Sequence, residues 1–503
     1  MTPDGKNILM VAPGFLEYGE AGENSNHQFG MFRAAAWLKD TGHNVEFVDG
    51  GLPPELGGKR AKRLKERCDG VPHSMQKCGN YENEGISKVK YYYGKPYYAI
   101  RSELAKATPP DEIWIGSGMT YQWETTRDLV EMSHEMFPDV RVRVGGIYAS
   151  LCTDHAKKNC PDADIWSGEI PEATSYWPDY EVPPHTLSYR TIKLNTGCTV
   201  SVQCSFCAVK TLEPKFNFRS PVSLIDYLEG EIKKGVRRVN IWASQLLQPP
   251  RAFAELMDRL YMLQVKHGVR LEIDASEGIQ PSLFTPDMAR RMVRAGFYRL
   301  SIPMESIREE TLEAFNKPSS LSDYHRSVEI AKEAGFSRVS AFIMLGTPQQ
   351  DLDEIVQAVV DCWWRQIRPR MMKHTIIPGS QDWDDFEWVH RGKELQDLHP
   401  SLWAAARPGL EVLSLEEIFA IARLGYERWK TLPQKDLPFR GVAYRTRSVV
   451  DDLFMKWCKI YGLVKNGRFR ELDMVSPYEP PVGLHEINTS PLSESVARIQ
   501  LIA

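Results

Sequence analysis

Nine cysteines in 503 residues are few, and their number is odd, so no framework of paired disulfides is expected to hold this fold. No apolar run approaches the ~20 residues that a membrane-crossing helix requires. The opening, "MTPDGKNILMVAPGF", also lacks the small-residue cleavage site of a secretory signal. A basic excess is missing as well. With 62 Lys and Arg against 66 Asp and Glu, the formal net charge is −4, which argues against a nucleic-acid-binding surface. The one dense basic run, "GGKRAKRLKER" at residues 57–67, reads as a solvated helix face. No GxGxxG fingerprint follows the first predicted strand, which disfavours a dinucleotide site. What remains is a globular chain of the reducing cytoplasm, without membrane or nucleic-acid partners. Its length predicts two or three domains.

Strands and helices alternate from the start. "NILMVAP" is a buried-strand pattern, followed by an amphipathic helix, a stop at Gly42 and the strand "NVEFVD". "EIWIGSG", a helix over residues 124–137, "VRVRVGG" and "ADIWSGE" continue the series. This alternation predicts a doubly wound, Rossmann-like parallel sheet over residues 1–175, with an insertion at about residues 50–100. A proline-rich linker, "YWPDYEVPPHT", leads to six further strand–helix units. Their strands read "RTIKLNT", "RRVNIWA", "RLEIDAS", "YRLSIPM", "RVSAFIML" and "RMMKHTII". Six such units over residues 186–380 fit a partial (β/α)6 barrel with ligands at the C-terminal strand ends. Residues 381–503 read as a mostly helical, substrate-associated region, clearest at residues 414–430.

Directly after the first barrel strand comes "GCTVSVQCSFC", which places Cys198, Cys204 and Cys207 at the barrel mouth. Thiolates favour zinc, copper(I) and iron–sulfur clusters. A closed zinc site wants four ligands, usually as two separated pairs. Three thiolates with no companion pair suit a [4Fe–4S] cluster with one iron left open. A zinc site completed by a distant histidine is the alternative. Cys68, Cys78, Cys152 and Cys160 have no cluster spacing and read as ordinary free thiols.

A cysteine triad with an aromatic residue, Phe206, before its last member resembles the radical S-adenosylmethionine (SAM) superfamily. The common spacing there is CxxxCxxC, and this chain has five residues between the first two cysteines. Residues 299–336, with the pair Glu305-Ser306, resemble that superfamily's fourth strand and the helices after it. "VSAFIMLGTPQQDLDEI" and "TIIPGS" resemble its fifth and sixth strand ends. The resemblance implies that Cys198, Cys204 and Cys207 hold the cluster and that SAM binds the open iron. It also implies that Phe206, Ser244, Gln245, Glu305 and Ser306 lie near SAM.

The first segment is similar to the cobalamin-binding domain that precedes many radical SAM enzymes. The matching stretches are "LKDTGHNVEFVD", "SGMTY", "VGGIYAS" and "SGEIPEA". By that resemblance, cobalamin contacts fall on Gly14, Phe15, Met119, Thr120, Tyr121, Gly145, Gly146, Ile147, Tyr148, Ala149 and Gly168. Some cobalamin proteins carry DxHxxG, whose histidine binds cobalt. Here "SNHQFG" supplies His27 and Gly30 but Ser25 in place of Asp, so the carboxylate that would orient a ligating histidine is missing. The corrin is therefore expected without a protein ligand.

Together the resemblances imply a cobalamin-dependent radical SAM methyltransferase acting on an unactivated carbon. Such an enzyme uses a 5′-deoxyadenosyl radical and methylcobalamin, and takes electrons from a donor such as ferredoxin or flavodoxin. Relatives methylate antibiotic precursors, peptides and residues of folded proteins, including a glutamine of methyl-coenzyme M reductase, and a peptide or protein substrate is the expectation here. Ring contraction or cyclisation with both cofactors is the alternative chemistry. A corrin- or metal-binding scaffold without activity is the alternative to an enzyme.

Overall fold

The computed structural model describes residues 5–19, 29–51, 65–66, 72–73, 75–83, 86–183, 189–275, 277–408, 415, 418–419, 422, 464–465 and 468–469. The chain packs as two compact units. One comprises Met1–Glu277, Arg291–Tyr298 and Ile376–Ala404, and the other Gly278–Arg290, Arg299–Thr375 and Ala405–Ala503.

The first unit opens with a five-stranded sheet of β1 (Asn7–Ala12), β3 (Asn44–Asp49), β6 (Glu112–Ser117), β7 (Arg141–Gly146) and β8 (Asp164–Ile165). The strand order is β8-β7-β6-β1-β3 and every pairing is parallel. Both faces of this sheet are covered, which is why its strands read as near-continuous apolar runs. Leu9, Val11, Ile113, Ile115, Val142 and Val144 pack on one face with Leu129 and Val130 of the helix α2 (Trp123–Met136). Ile8, Met10 and Phe47 pack on the other with Phe32, Ala35 and Leu38 of α1 (Phe29–Asp40). Each such side chain, fully buried, contributes about 2 kcal/mol. The sheet is the Rossmann-like one that the alternation predicts.

The insertion is a second, antiparallel sheet. β4 (Met75–Asn83) and β5 (Ile86–Tyr93) form a hairpin, and β2 (Phe15–Tyr18) adds to its edge in the order β2-β5-β4. At Gly14 and Phe15, two of the expected cobalamin contacts, the chain turns after Pro13 and pairs at once with β5, Phe15 opposite Tyr93. Their rings stack at 5.1 Å between centroids, an aromatic gain that a reading of β1 alone does not include. Of the basic run at 57–67, only Lys65–Glu66 is described, as a two-residue strand paired with Pro72–His73. Cys68, Ser25 and His27 lie outside the described residues.

The barrel sheet has seven strands: β9 (Tyr189–Thr196), β10 (Asn217–Phe218), β11 (Arg238–Ala243), β12 (Glu272–Ala275), β13 (Phe297–Glu305), β14 (Arg338–Leu345) and β15 (Arg368–Lys373). Their order is β10-β9-β11-β12-β13-β14-β15. The six predicted strands are all present, and β10 is a short antiparallel addition at the end of β9. In the first unit, β9, β11 and β12 pair in parallel. Their connecting helices begin with proline, at Pro221 and Pro250, and the second ends at Gly268 with φ 61°, where a left-handed residue closes the last turn. In the second unit, β13, β14 and β15 pair in parallel. The helix Leu321–Ala334 there starts at a capping box made by Ser320 and Asp323.

Residues 376–404 pack within the first unit. Trp123 Nε1 donates to Gln396 Oε1 at 2.7 Å, and Ser401 Oγ donates to Glu17 Oε1 at 2.6 Å. The helix expected at residues 414–430 lies largely outside the described residues. Among the described residues no helix is long and apolar enough to cross a membrane.

Candidate functional site

The cysteine loop begins where β9 ends. Gly197 has φ +70°, and a Cβ there would meet the Lys215 carbonyl oxygen at 2.5 Å. Only glycine fits this turn without strain. Cys198, Cys204 and Cys207 follow, each half-buried and none in a disulfide. The lengthened spacing is accommodated by Lys210, whose Nζ donates to the carbonyls of Val200 at 2.6 Å and Ser201 at 3.0 Å. Backbone N–H groups already point at sulfur and carbonyl acceptors within the loop. Cys207 N donates to Cys204 O at 3.0 Å, and Val209 N to Cys207 Sγ at 3.5 Å.

Among the described residues no three His, Cys, Asp or Glu side chains converge as one metal ion would require. The loop's own donor set, three thiolates without a companion pair, is of the soft kind that iron–sulfur clusters take.

Two residues after β11 meet this loop. Gln245 is buried and donates from Nε2 to Cys198 Sγ at 3.4 Å. Its backbone is clamped by Asn195, which donates from Nδ2 to Gln245 O at 2.7 Å and accepts from Gln245 N at 3.2 Å. Ser244 Oγ donates to Glu213 Oε2 at 3.1 Å. Both side chains bind the cysteine loop and its support, where the resemblance expects SAM to lie close by.

Glu213 is the residue that motif reading missed. Besides Ser244 it accepts from Gly197 N at 2.7 Å and from Lys193 Nζ. Lys193 sits on β9, and burial pulls its amine down to about 8. The same amine lies 3.9 Å from Glu169 Oε1, which Arg33 of α1 approaches at 3.3 Å. An ionic line, exposed at Glu169 and half-buried at Lys193 and Glu213, thus joins the loop after β8 to the loop after β9. A lysine on the predicted first barrel strand, amid apolar neighbours, was the one available clue, because buried charges are paired.

Glu305 and Ser306 lie in the second unit, at the end of β13. Glu305 is buried, has φ +62°, and its Oε1 receives Lys317 Nζ at 3.2 Å. A left-handed non-glycine residue costs on the order of 1 kcal/mol or more and is frequent at functional sites. Ser306 is fully buried. Its hydroxyl donates to Glu354 and accepts from Arg308 N at 2.8 Å. Burial raises the Glu354 carboxyl above its ordinary range. Ser306 therefore supports the turn, and Glu305 is the member of the pair whose backbone is held in an unusual state.

At the C-terminal ends of the five-stranded sheet, several expected contacts are already covered. A Cβ on Gly14 would meet the Tyr92 hydroxyl at 2.4 Å, and Phe15 is buried against Tyr93. Thr120, Tyr148 and Ala149 are buried, and the Tyr148 hydroxyl bonds His155 Nδ1 at 2.8 Å. Tyr121 is half-buried beside the His399 ring at 4.8 Å. Gly146 is exposed but strained, with φ +113° and the Ser117 carbonyl 2.4 Å from where a Cβ would stand.

Open space is found at three neighbouring glycines. Gly168 has nothing within 4 Å, Gly145 only Trp166 Cβ at 4.0 Å, and Gly118 only Gln122 Cβ at 3.7 Å. Met119 and Ile147 border them half-buried, and the Trp166 face is exposed. This is a cradle that side chains would fill, at the sheet edge where doubly wound folds take ligands. Its floor is fixed by Ser117 Oγ, which accepts from Ala149 N at 3.2 Å, and by Gly118 O, which accepts from Tyr148 N at 3.0 Å. A large planar group fits such a surface.

Cys78 is exposed, and Cys152 and Cys160 are unpaired. Burial pushes the Cys152 thiol up to about 12 and the Cys160 thiol up to about 11.

Comparison with known proteins bears on both regions. Residues 192–361, about a third of the chain, match the family model described as the radical SAM superfamily. A GTP 3′,8-cyclase from Ectopseudomonas mendocina (strain ymp) is 23% identical over 175 residues, 34% of this chain, and the chain spans half the length of that relative. Solved structures of the radical S-adenosylmethionine methyltransferase TsrM from Kitasatospora setae share the fold. The form with cobalamin and a [4Fe–4S] cluster bound gives a TM-score of 0.56 at 12% identity, covering 91% of this chain and 100% of that one. The form with tryptophan substrate and the SAM analogue aza-SAM gives 0.53 at 14%, covering 76% of each chain. The cobalamin-dependent S-adenosylmethionine radical enzyme OxsB, with aqua-cobalamin and SAM bound, gives 0.51 at 11%, covering 92% of this chain and 67% of that one. At these identities the likeness is one of fold.

Proposed function

We propose that this chain is a cobalamin-dependent radical SAM methyltransferase. The observation that carries the reading is the pairing, in one compact unit, of a three-thiol loop after β9 with an open glycine cradle at the end of the five-stranded sheet. The family match over residues 192–361 and the fold shared with TsrM and OxsB support it. Cys198, Cys204 and Cys207 hold a [4Fe–4S] cluster, and Gly118, Gly145 and Gly168, with Met119, Ile147 and Gly146 around them, receive cobalamin. When bound, the cluster with SAM supplies a hydrogen-abstracting radical and the corrin supplies a methyl group; the chain supplies placement and exclusion of water. Glu213 fixes the start of the cysteine loop at Gly197, and Lys210 holds it at Val200 and Ser201. Phe206, half-buried, precedes the last cysteine and borders SAM in this reading.

The substrate carries an unactivated carbon. A peptide or protein remains the first proposal, and a free amino acid is the second, favoured by the tryptophan held in one TsrM structure. Electrons come from a small reduced carrier such as ferredoxin or flavodoxin, and the setting proposed is the cytoplasm.

The test uses anaerobically reconstituted chain with cobalamin, dithionite and methyl-labelled SAM. About four irons per chain, uptake of one cobalamin, and release of both 5′-deoxyadenosine and S-adenosylhomocysteine are expected. Deoxyadenosine without S-adenosylhomocysteine favours ring contraction or cyclisation. Absence of both, in protein that holds iron and corrin, overturns the reading in favour of a binding scaffold.

A further inference from the structure

The dipeptide Ser244-Gln245 stands at the end of β11, where the family resemblance predicts contacts to SAM. The geometry assigns it another task. Gln245 spends its amide donor on Cys198 Sγ at 3.4 Å. Asn195 holds the Gln245 backbone at both its N–H and its carbonyl, at 3.2 and 2.7 Å. Both residues are buried, Asn195 completely and Gln245 to 8% exposure. The neighbouring Ser244 hydroxyl is bound to Glu213, which also holds the N–H of Gly197. The dipeptide is thereby anchored to the cysteine loop from two directions, and the Asn195 clamp fixes the backbone from which the Gln245 amide projects.

We propose that Gln245 sets the reduction potential of the cluster through this donation, and that Asn195 is its positioning residue. The inference rests on the cluster assignment above. A reduced cluster carries one more negative charge than an oxidised one. An N–H donor aimed at a ligating sulfur stabilises that charge and raises the potential, and hydrogen bonds to sulfur are among the levers that set potentials in such centres. The low exposure of the donor matters, because a buried hydrogen bond is less screened than one in water. Side-chain amides suit the task. They donate without carrying charge, so they favour the reduced state while leaving the net charge of the loop unchanged.

The experiment is an EPR-monitored redox titration of the reconstituted full-length chain, wild type against Gln245→Leu, Gln245→Glu and Asn195→Leu, with iron content and SAM affinity measured on each. Gln245→Leu should shift the midpoint to more negative potential at unchanged iron content. Gln245→Glu should shift it further, because a carboxylate then faces the thiolate. Asn195→Leu should shift it in the same direction, and combining it with Gln245→Leu should add little, as expected for residues acting through one contact. SAM affinity of Gln245→Leu should stay within about twofold of wild type. An unchanged midpoint in the two Gln245 variants, or a loss of SAM affinity without a shift, overturns the proposal and restores the SAM-contact role. A wild-type chain that binds no cluster would overturn the underlying assignment as well, so the two failures are distinct.

Discussion

The loop ends of the five-stranded sheet and the loop after β9 build surface by opposite means. At Gly118, Gly145 and Gly168 the surface exists because side chains have been left out, and a Cβ built there would meet at most one other Cβ within 4 Å. Around Cys198 the surface exists because side chains have been tied down. Gln245, Asn195, Glu213 and Lys210 each hold a backbone or sulfur atom in place, and Lys193 holds the Glu213 carboxylate. The first plan suits a large ligand that brings its own rigidity. The second suits a small inorganic group whose ligands must be presented at fixed spacing, since supporting partners orient the ligands and tune the metal.

This contrast can be broken at either end. The largest effect is expected from replacing Cys198, Cys204 and Cys207 together by alanine. Iron content and 5′-deoxyadenosine release should fall to background while the circular dichroism spectrum is kept, because the three side chains are only half-buried. Retained SAM cleavage would show that the thiols are not the cluster ligands.

Next comes Glu213→Ala. It leaves Gly197 N without its acceptor and, among the described residues, the half-buried Lys193 amine facing Glu169 at 3.9 Å. Leaving a largely buried donor unsatisfied costs about 1–3 kcal/mol, so chemical denaturation should show a loss of that order together with a labile cluster. A variant as stable as wild type would mean that the ionic line carries no structural weight.

The cradle should respond differently at adjacent positions. Gly145→Leu adds a side chain into open space at ordinary φ. Its stability should stay within about 0.5 kcal/mol of wild type while cobalamin uptake, followed by absorbance, is lost. Gly146→Ala forces a left-handed residue against the Ser117 carbonyl and should destabilise the fold by about 1–3 kcal/mol. Equal stability losses in the two would erase the distinction between an empty surface and a strained floor.

The smallest effect concerns the thiols outside the loop. Burial raises Cys152 and Cys160 to about 12 and about 11, above the ~8.5 of an unfolded thiol. The folded chain therefore holds more protons than the unfolded one between those values. This part of the stability is complete below pH ~8.5 and declines as pH rises through the folded values. At pH 8, iodoacetamide should modify both at least about tenfold more slowly than a free thiol. Rapid labelling of either would mark it as activated.

The strand–helix alternation, the six barrel strands and the cysteine loop were legible because each is a local pattern. Apolar runs of five to eight residues, proline at helix starts and glycine at helix ends act over a few neighbours. The pairing of β2 with β5 was not legible, since it joins residues 15 and 93 through an insertion of unknown path. Gly14 and Phe15 read as cobalamin contacts for that reason, and the structure covers them with Tyr92 and Tyr93. Ser244 and Gln245 could be placed at the correct strand end by resemblance. Their partners could not, because Cys198 and Glu213 come from other segments.

By itself the sequence determined the classes of the two sheets, the three thiols in one loop and the glycines at the strand ends. Periodicity, spacing and residue type act along the chain and need no knowledge of what folds back on them. Only the tertiary structure decided which glycines stay open, which serine and glutamine turn to the cysteine loop, and that Lys193, Glu213 and Glu169 form one ionic line. Those outcomes depend on distances between segments 16 to 50 residues apart in sequence. A buried polar group must find its partner wherever packing brings one.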